Sequence, residues 1–106
     1  MGEMIGKVYL DTTYYPGKDL YSDGAIEDEM LAIARDYTPQ QFNNVIREKE
    51  SWPILYHFSH IRENILGWLP FTGEEKVLEV GAGCGAVTGV LCRKAKEVTS
   101  IDLSMK

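Results

Sequence analysis

The stretch that decides the fold is KVLEVGAGCGAVTGVLCRKAKEVTSID, residues 76–102. It opens with the apolar and β-branched run Lys76–Val80, continues through the glycine-rich segment Gly81–Gly85, and takes on helical texture from Ala86 to Lys94. A second strand-like run, Val98–Asp102, follows after a short connection. This order predicts a strand, a glycine loop, a helix and a second strand, which together form a parallel, right-handed βαβ crossover.

The glycines of this loop indicate a bound ligand. Glycine has no Cβ, so the loop can adopt unusual φ values, and a ligand can lie against bare backbone N–H groups at the start of a helix. We therefore expect a polar, extended ligand at residues 81–85.

Two ligand classes fit the loop. Gly81-x-Gly83-x-x-Ala86 satisfies the dinucleotide fingerprint, and Asp102, 21 residues beyond Gly81, stands where the ribose-binding acid belongs. An oxidoreductase that uses NAD(P) or FAD is therefore one interpretation. The acidic Glu79 just before the loop, together with glycines at every second position, favours a different ligand.

Val77–Gly85 resembles the first motif of class I S-adenosylmethionine-dependent methyltransferases, and Ile101–Ser104 resembles the second-strand motif of the same family. The resemblance implies a Rossmann-like fold and S-adenosylmethionine as the cofactor. It also implies an in-line displacement, in which a nucleophile on the acceptor attacks the methyl carbon of a sulfonium cation. The protein then positions the reactants and, where needed, removes a proton. The acceptor and the catalytic residues stay unassigned.

The resemblance also implies roles for individual residues. The backbone of Gly81–Gly83 would pass under the sugar and amino-acid parts of the cofactor, and Glu79 would orient the loop or meet the methionine ammonium through water. Asp102 would accept hydrogen bonds from both ribose hydroxyls, and Leu103 would border the adenine. The cofactor-binding residues implied in this way are Glu79, Gly81, Ala82, Gly83, Cys84, Gly85, Asp102 and Leu103.

Weaker candidates lie upstream of the loop. Tyr56 or Arg62 would bind the carboxylate of the cofactor's methionine part; the alternative is that Tyr56 belongs to the core and Arg62 pairs locally with Glu63 or Glu50.

The tyrosines around Pro16-Gly17, at positions 14, 15 and 21, would form part of an acceptor-binding lid or simply a packed arm.

We expect neither a metal site nor a disulfide framework. His57 and His60 are three residues apart, but no third ligand accompanies them. Cys84 and Cys92 are eight residues apart with no CxxC pair, which is typical of reduced thiols in a cytoplasmic protein.

The first half of the chain is predicted to be an α-rich extension. Short β-prone runs at residues 7–10 and 14–15 predict a small hairpin or an extended arm. A helix is predicted over residues 25–36, with Ser22 or Asp23 as its N-cap. Thr38, Pro39 and Gln41 form a capping-box pattern that opens a second helix through about Arg47.

The middle of the chain is apolar and aromatic. We expect residues 51–58 to pack on the later sheet. Ser59 is the predicted N-cap of a helix from His60 to Trp68, which Pro70 ends. Its predicted apolar stripe consists of Ile61, Ile65, Leu66 and Leu69.

Charge narrows the range of partners. The formal net charge is −5, and residues 1–50 carry all of the acidic excess, with ten Asp or Glu against five Lys or Arg. Without a basic cluster, the chain is a poor candidate for binding nucleic acid. No apolar run approaches the roughly 20 residues that span a bilayer, and the first residues lack a leader pattern, so we expect a cytoplasmic protein.

The predicted fold class is α/β. Residues 1–50 form the N-terminal extension, and residues 51–106 begin the cofactor-binding domain with a helix, a strand, the glycine loop, a helix and a strand. Because the resemblance implies a larger sheet than these two strands, we expect an N-terminal piece of a methyltransferase that is inactive alone. Its open strand edges would let it self-associate or exchange elements between chains. A non-catalytic binding or assembly module is the alternative outside enzymes.

Overall fold

A computed structural model describes residues 2–19 and 24–105. Two 3₁₀ turns, Pro39–Gln41 and His60–Glu63, accompany the regular elements. In chain order, those elements are β1 (Gly2–Ile5), β2 (Val8–Asp11), α1 (Ala25–Asp36), α2 (Phe42–Lys49), α3 (Trp52–Phe58), α4 (Asn64–Gly67), β3 (Lys76–Val80), α5 (Thr88–Lys94) and β4 (Glu97–Ile101). The architecture is mixed α/β, as the sequence predicts.

The chain begins with an antiparallel hairpin. β1 pairs with β2 from Gly2 opposite Asp11 to Ile5 opposite Val8, and Gly6, with a φ of 60°, supplies the tight turn. A hairpin was expected, but residues 14–15 are not one of its strands. The Asp11 carboxylate accepts hydrogen bonds from the N–H and hydroxyl of Thr13, at 2.9 and 2.6 Å, so the chain turns away from the sheet before it reaches those tyrosines.

Helix α1 has the predicted bounds, Ala25–Asp36. The expected caps, Ser22 and Asp23, lie outside the described residues, and Gly24 occupies the N-cap position with a φ of 77°. At the next helix start, the Thr38 N–H donates to the Gln41 side-chain oxygen at 2.8 Å, so the predicted capping-box contact is present. The turn that it opens runs directly into α2.

The helical core is centred on Ile33, Val45 and Ile54, one residue from each of the first three helices. Phe42 and Phe58 flank it with their rings edge to face, 4.8 Å apart. The expectation that residues 51–58 pack on the sheet is therefore wrong. They form α3, and its one buried residue, Ile54, packs with α1 and α2 because an isoleucine at that point of the helix faces their apolar sides.

The segment after α3 is divided rather than one helix. The Ser59 hydroxyl accepts a hydrogen bond from the Ile61 N–H at 3.3 Å, as predicted for the cap, but a 3₁₀ turn comes first and α4 has only four residues. Ile61 is 74% exposed and Ile65 51% exposed, so the predicted apolar stripe is not buried. Instead, contacts to α5 hold the segment: Glu63 pairs with Arg93.

Strands β3 and β4 form the expected parallel pair, with Lys76 opposite Glu97 and Val80 opposite Ile101. Helix α5 connects them and packs against β4. It begins at Thr88, two residues later than predicted, and β4 ends one residue before Asp102. The strand, helix and strand of the sequence motif are thus present, whereas the larger Rossmann-like sheet stays a prediction.

Candidate functional site

The glycine loop joins β3 to α5 at the carboxyl ends of both strands. Gly81, Gly83 and Gly85 have φ values of 74°, 58° and 78°, a region that other L-residues rarely adopt. A Cβ at Gly81 or Gly83 would meet no heavy atom within 4 Å, so backbone conformation, not crowding within the chain, calls for glycine there. The Gly81 N–H donates to the Ile101 carbonyl at 2.8 Å, which anchors the loop to the end of β4.

Asp102 contacts this loop directly. Its Oδ2 accepts a hydrogen bond from the Gly83 N–H at 2.7 Å, and its Oδ1 accepts from the N–H groups of Leu103 and Ser104 at 2.7 and 3.1 Å. The Gly83 N–H is the main cause that lowers the pKa of Asp102 below its ordinary value, against the opposing effect of burial; the other two N–H groups add to it. An ionised carboxylate therefore lies beside the loop.

Glu79 holds the same region from the covered face of the sheet. Its Oε1 accepts hydrogen bonds from the hydroxyls of Thr88 and Ser100, both at 2.7 Å. One carboxylate oxygen thereby joins β3 to the start of α5 and to β4. These contacts fit the loop-orienting role that was one of the two expected for Glu79.

Thr88 and Ser100 were not among the candidates found in the sequence. Ser100 is the register partner of Glu79, so the parallel pairing places its hydroxyl on the same face. Thr88 is the first residue of α5. The sequence shows a hydroxyl at each of these positions, but their contact with Glu79 could be predicted only once the strand register was known.

The remaining loop candidates are open to solvent. Cys84 is exposed and not in a disulfide, and Leu103 is 67% exposed beside Asp102. The Gly85 N–H donates to the Ala82 carbonyl at 3.0 Å, which closes a turn within the loop. Residues 81–85 and 102–103 therefore lie together with little protein above them.

Asp19, near the N-terminal hairpin in sequence, contacts the segment that follows β4, which the sequence did not reveal. The Asp19 Oδ1 accepts hydrogen bonds from the Met105 N–H at 2.8 Å and from the Tyr15 hydroxyl at 3.1 Å. Burial, followed by the hydrogen bond to Asp19, raises the pKa of Tyr15. Tyr14 is 96% exposed, and Tyr21, the third tyrosine of the expected lid or arm, lies outside the described residues.

Tyr56 and Arg62 lie together. The Arg62 guanidinium stacks on the Tyr56 ring, 3.9 Å from its centroid. The segment that follows contacts the last turn of α5, where Glu63 pairs with Arg93 and the Lys94 ammonium donates to the Gly67 carbonyl at 2.9 Å. The glycine loop adjoins the first turn of the same helix.

The two histidines make unrelated contacts. The His57 ring meets Tyr56 edge to face at 5.1 Å, and the His60 Nε2 lies 3.1 Å from the Pro39 carbonyl oxygen. Over residues 2–19 and 24–105, no group of three or more metal-ligating side chains comes together. Among the same residues, no helix is long and apolar enough to cross a bilayer.

Comparison with known proteins identifies a relative. The chain is 34% identical over 80 residues to a protein-L-isoaspartate O-methyltransferase of Dictyoglomus turgidum, and the alignment covers 71% of this chain and 36% of the relative. The relative is a class I S-adenosylmethionine-dependent methyltransferase. The resemblance to that family is confirmed. The chain thus spans about a third of the length of this methyltransferase. No family model matches the chain, and no solved structure does.

Proposed function

We propose that this chain binds S-adenosylmethionine and serves a methyltransferase as its first cofactor-binding unit. The observation that carries the proposal is the contact between Asp102 and Gly83, which joins the ribose-binding acid of the family motif to the glycine loop. Homology to a methyltransferase supports the choice of cofactor.

The free acceptor sites of Asp102 suit a ribose. A carboxylate offers about four lone-pair sites. Oδ1 already accepts two N–H groups, whereas Oδ2 accepts one in the described structure, so Oδ2 has an open lone pair for a hydroxyl. We expect one ribose hydroxyl to bind Oδ2 directly; to accept both hydroxyls, Asp102 would have to give up one of its three N–H contacts.

The loop and its neighbours would hold the rest of the cofactor. Gly81–Gly83 present backbone with no Cβ in the way at Gly81 and Gly83, so the sugar and amino-acid parts can lie against it. Glu79 acts by fixing the loop through Thr88 and Ser100, and Leu103 offers an apolar edge for the adenine. When bound, S-adenosylmethionine supplies a methyl group activated by positive sulfur, and the residues of this chain bind and orient it.

The proposal stops at the cofactor and the reaction class. The relative's name gives protein L-isoaspartate as its acceptor. Because the alignment covers only 36% of that protein, we assign no acceptor to this chain. The expected role of Tyr56 or Arg62 at the carboxylate of the cofactor's methionine part stays a prediction.

Titration of the chain followed by NMR tests the proposal. S-adenosylmethionine is expected to shift the amide signals of residues 81–85 and 102–103 in a saturable way, with weak affinity because the adenine side is open. NAD is expected to leave these signals unchanged. Saturable shifts with NAD alone, or with neither ligand, would contradict the proposal and favour the oxidoreductase or the non-catalytic alternative.

A matched pair of variants sharpens the test. Asp102→Asn removes the charge and one acceptor while keeping the shape, so S-adenosylmethionine should bind about tenfold more weakly, as expected for a lost hydrogen bond to a charged group. Asp36→Asn changes an exposed carboxylate on α1 and should leave the affinity unchanged. Equal affinity of Asp102→Asn and the unaltered chain would remove Asp102 from the site.

A further inference from the structure

A second concave surface lies outside the candidate cofactor site. It is a groove of about 380 Å³ between α3 and the 3₁₀ turn and α4 that follow. We call it the α3–α4 groove. Its lining includes Trp52, Leu55, Tyr56, Ile61, Arg62 and Ile65.

The walls of the α3–α4 groove are apolar and open. Trp52 is 69% exposed, Ile61 is 74% exposed and Ile65 is 51% exposed. Single exposed apolar side chains are ordinary on a protein surface, but a contiguous group around a concavity is typical of a binding site. An aromatic ring or a branched alkyl group of a ligand would be stabilised by burying its apolar surface against these walls.

Arg62 is the cation among the residues that line the groove. No described carboxylate lies within ion-pair distance of Arg62, and its neighbour Glu63 pairs with Arg93 instead. The Nε of Arg62 is buried and has no hydrogen-bond partner among the described residues. Because Tyr56 covers one face of the guanidinium at 3.9 Å, the N–H donors at its edge are held in a defined direction.

The Arg62 guanidinium is thus a cation in an apolar groove with no ion-pair partner among the described residues. The terminal N–H groups of a guanidinium fit a carboxylate through two parallel hydrogen bonds. Glu50 lines an adjoining cavity with Trp52 and Leu55. Its negative charge would disfavour a carboxylate in that cavity.

We propose that the α3–α4 groove binds a small organic carboxylate with an apolar body, its carboxylate on Arg62 and its body between Trp52 and Ile65. None of the residues that line the groove belongs to the glycine loop or to residues 102–103.

A pair of ligands that differ only in charge tests this directly. 2-Naphthoate added to the full chain is expected to shift the signals of Tyr56, Ile61 and Arg62, including the Arg62 Nε–H, in a saturable way. 2-Naphthamide has the same shape without the charge and should bind at least tenfold more weakly. Equal affinity for the two compounds, or no saturable shift with either, would overturn the proposal.

Variants at Arg62 provide an independent arm. Arg62→Met keeps the apolar stem and should lower the naphthoate affinity to that of the amide, while Arg62→Lys keeps the charge and should fall between. Arg35→Met removes an exposed arginine that pairs with Asp36 and should change nothing. Unaltered naphthoate binding by Arg62→Met would contradict the assignment; if that variant fails to fold, the comparison of the two ligands still decides.

The same spectra separate this proposal from the proposed function. Naphthoate shifts confined to residues 81–85 would show that the ligand uses the loop and not the groove, which overturns the groove site. Concentration-dependent sedimentation of the chain that is abolished by Ile61→Lys would show that a second copy fills the groove, with the same consequence. Neither result changes the expected response of the loop to S-adenosylmethionine.

Discussion

Asp102 and Glu79 hold the glycine loop from two sides. Asp102 accepts the Gly83 N–H at the tip of the loop, and Glu79 accepts the hydroxyls of Thr88 and Ser100 at its base. Both sets of contacts are made within the chain. These contacts hold the loop without a ligand, so the proposed cofactor would have less entropy of loop ordering to offset on binding.

The carboxylate of Asp102 should make the free energy of unfolding depend on pH. The pKa of Asp102 in the folded chain lies below the ordinary 3.8, chiefly because of the Gly83 N–H. Its contribution to stability is therefore fully present above pH 3.8 and is lost as the pH falls through the folded pKa. The difference in unfolding free energy between the unaltered chain and Asp102→Asn should shrink as the pH falls below about 4. Urea unfolding at a series of pH values measures it; a constant difference would contradict the assignment.

Removal of Glu79 should loosen three elements at once. Glu79→Ala leaves two hydroxyls without their acceptor, so we expect a loss of about 1–3 kcal/mol in the free energy of unfolding. Glu74→Ala is the control, because its 3.8 Å pair with Lys96 is exposed and should contribute well under about 1 kcal/mol. Urea titration of both variants gives the comparison, and equal losses would argue against the bridging role.

At the scale of elements, the helices and the parallel strand pair are stabilised in different ways. The first three helices share the buried side chains of Ile33, Val45 and Ile54. The strand pair has α5 on one face, where Val90 and Leu91 are buried. Hydrophobic packing therefore dominates the first half of the chain, whereas hydrogen bonds across β3, α5 and β4 define the site.

Truncation in the helical core should be costly. Ile54 is fully buried, so Ile54→Ala is expected to lower the unfolding free energy by about 2–5 kcal/mol through lost packing and the cavity left behind. Ile61→Ala removes the same atoms from a side chain that is 74% exposed and should cost about 0.5 kcal/mol or less. Thermal or urea unfolding distinguishes them; similar effects would place Ile54 outside the core.

At the scale of the whole molecule, the described residues leave one face of the parallel sheet open to solvent. Leu78 and Val80 are 62% and 73% exposed on the face opposite α5, beside the exposed Ile101 of β4. Lys76 and Glu97 are register partners at one end of this face. A two-fold axis along the strands would place each lysine over the glutamate of a second copy, so the face is complementary to itself.

This open face should make the chain self-associate at high concentration. We expect sedimentation velocity to show a reversible shift toward a dimer, and Leu78→Lys to return the chain to a monomer because it places a charge in the contact. Leu31→Lys, at a side chain that is 55% exposed on α1, should leave the shift unchanged. A monomer at every concentration would show that the face does not bind a second copy.

The sequence by itself determined the strand, glycine loop and helix around residues 76–102, helix α1, and the two caps at Thr38 and Ser59. These features depend on local chemistry: positive φ, capping oxygens and the spacing of apolar residues. Only the tertiary structure decided that α3 packs into the helical core and that Asp19 contacts Met105, beyond β4. It also decided that Asp102 accepts the Gly83 N–H and that Glu79 reaches Thr88 and Ser100. The partners in these contacts depend on strand register and packing, which no local pattern specifies.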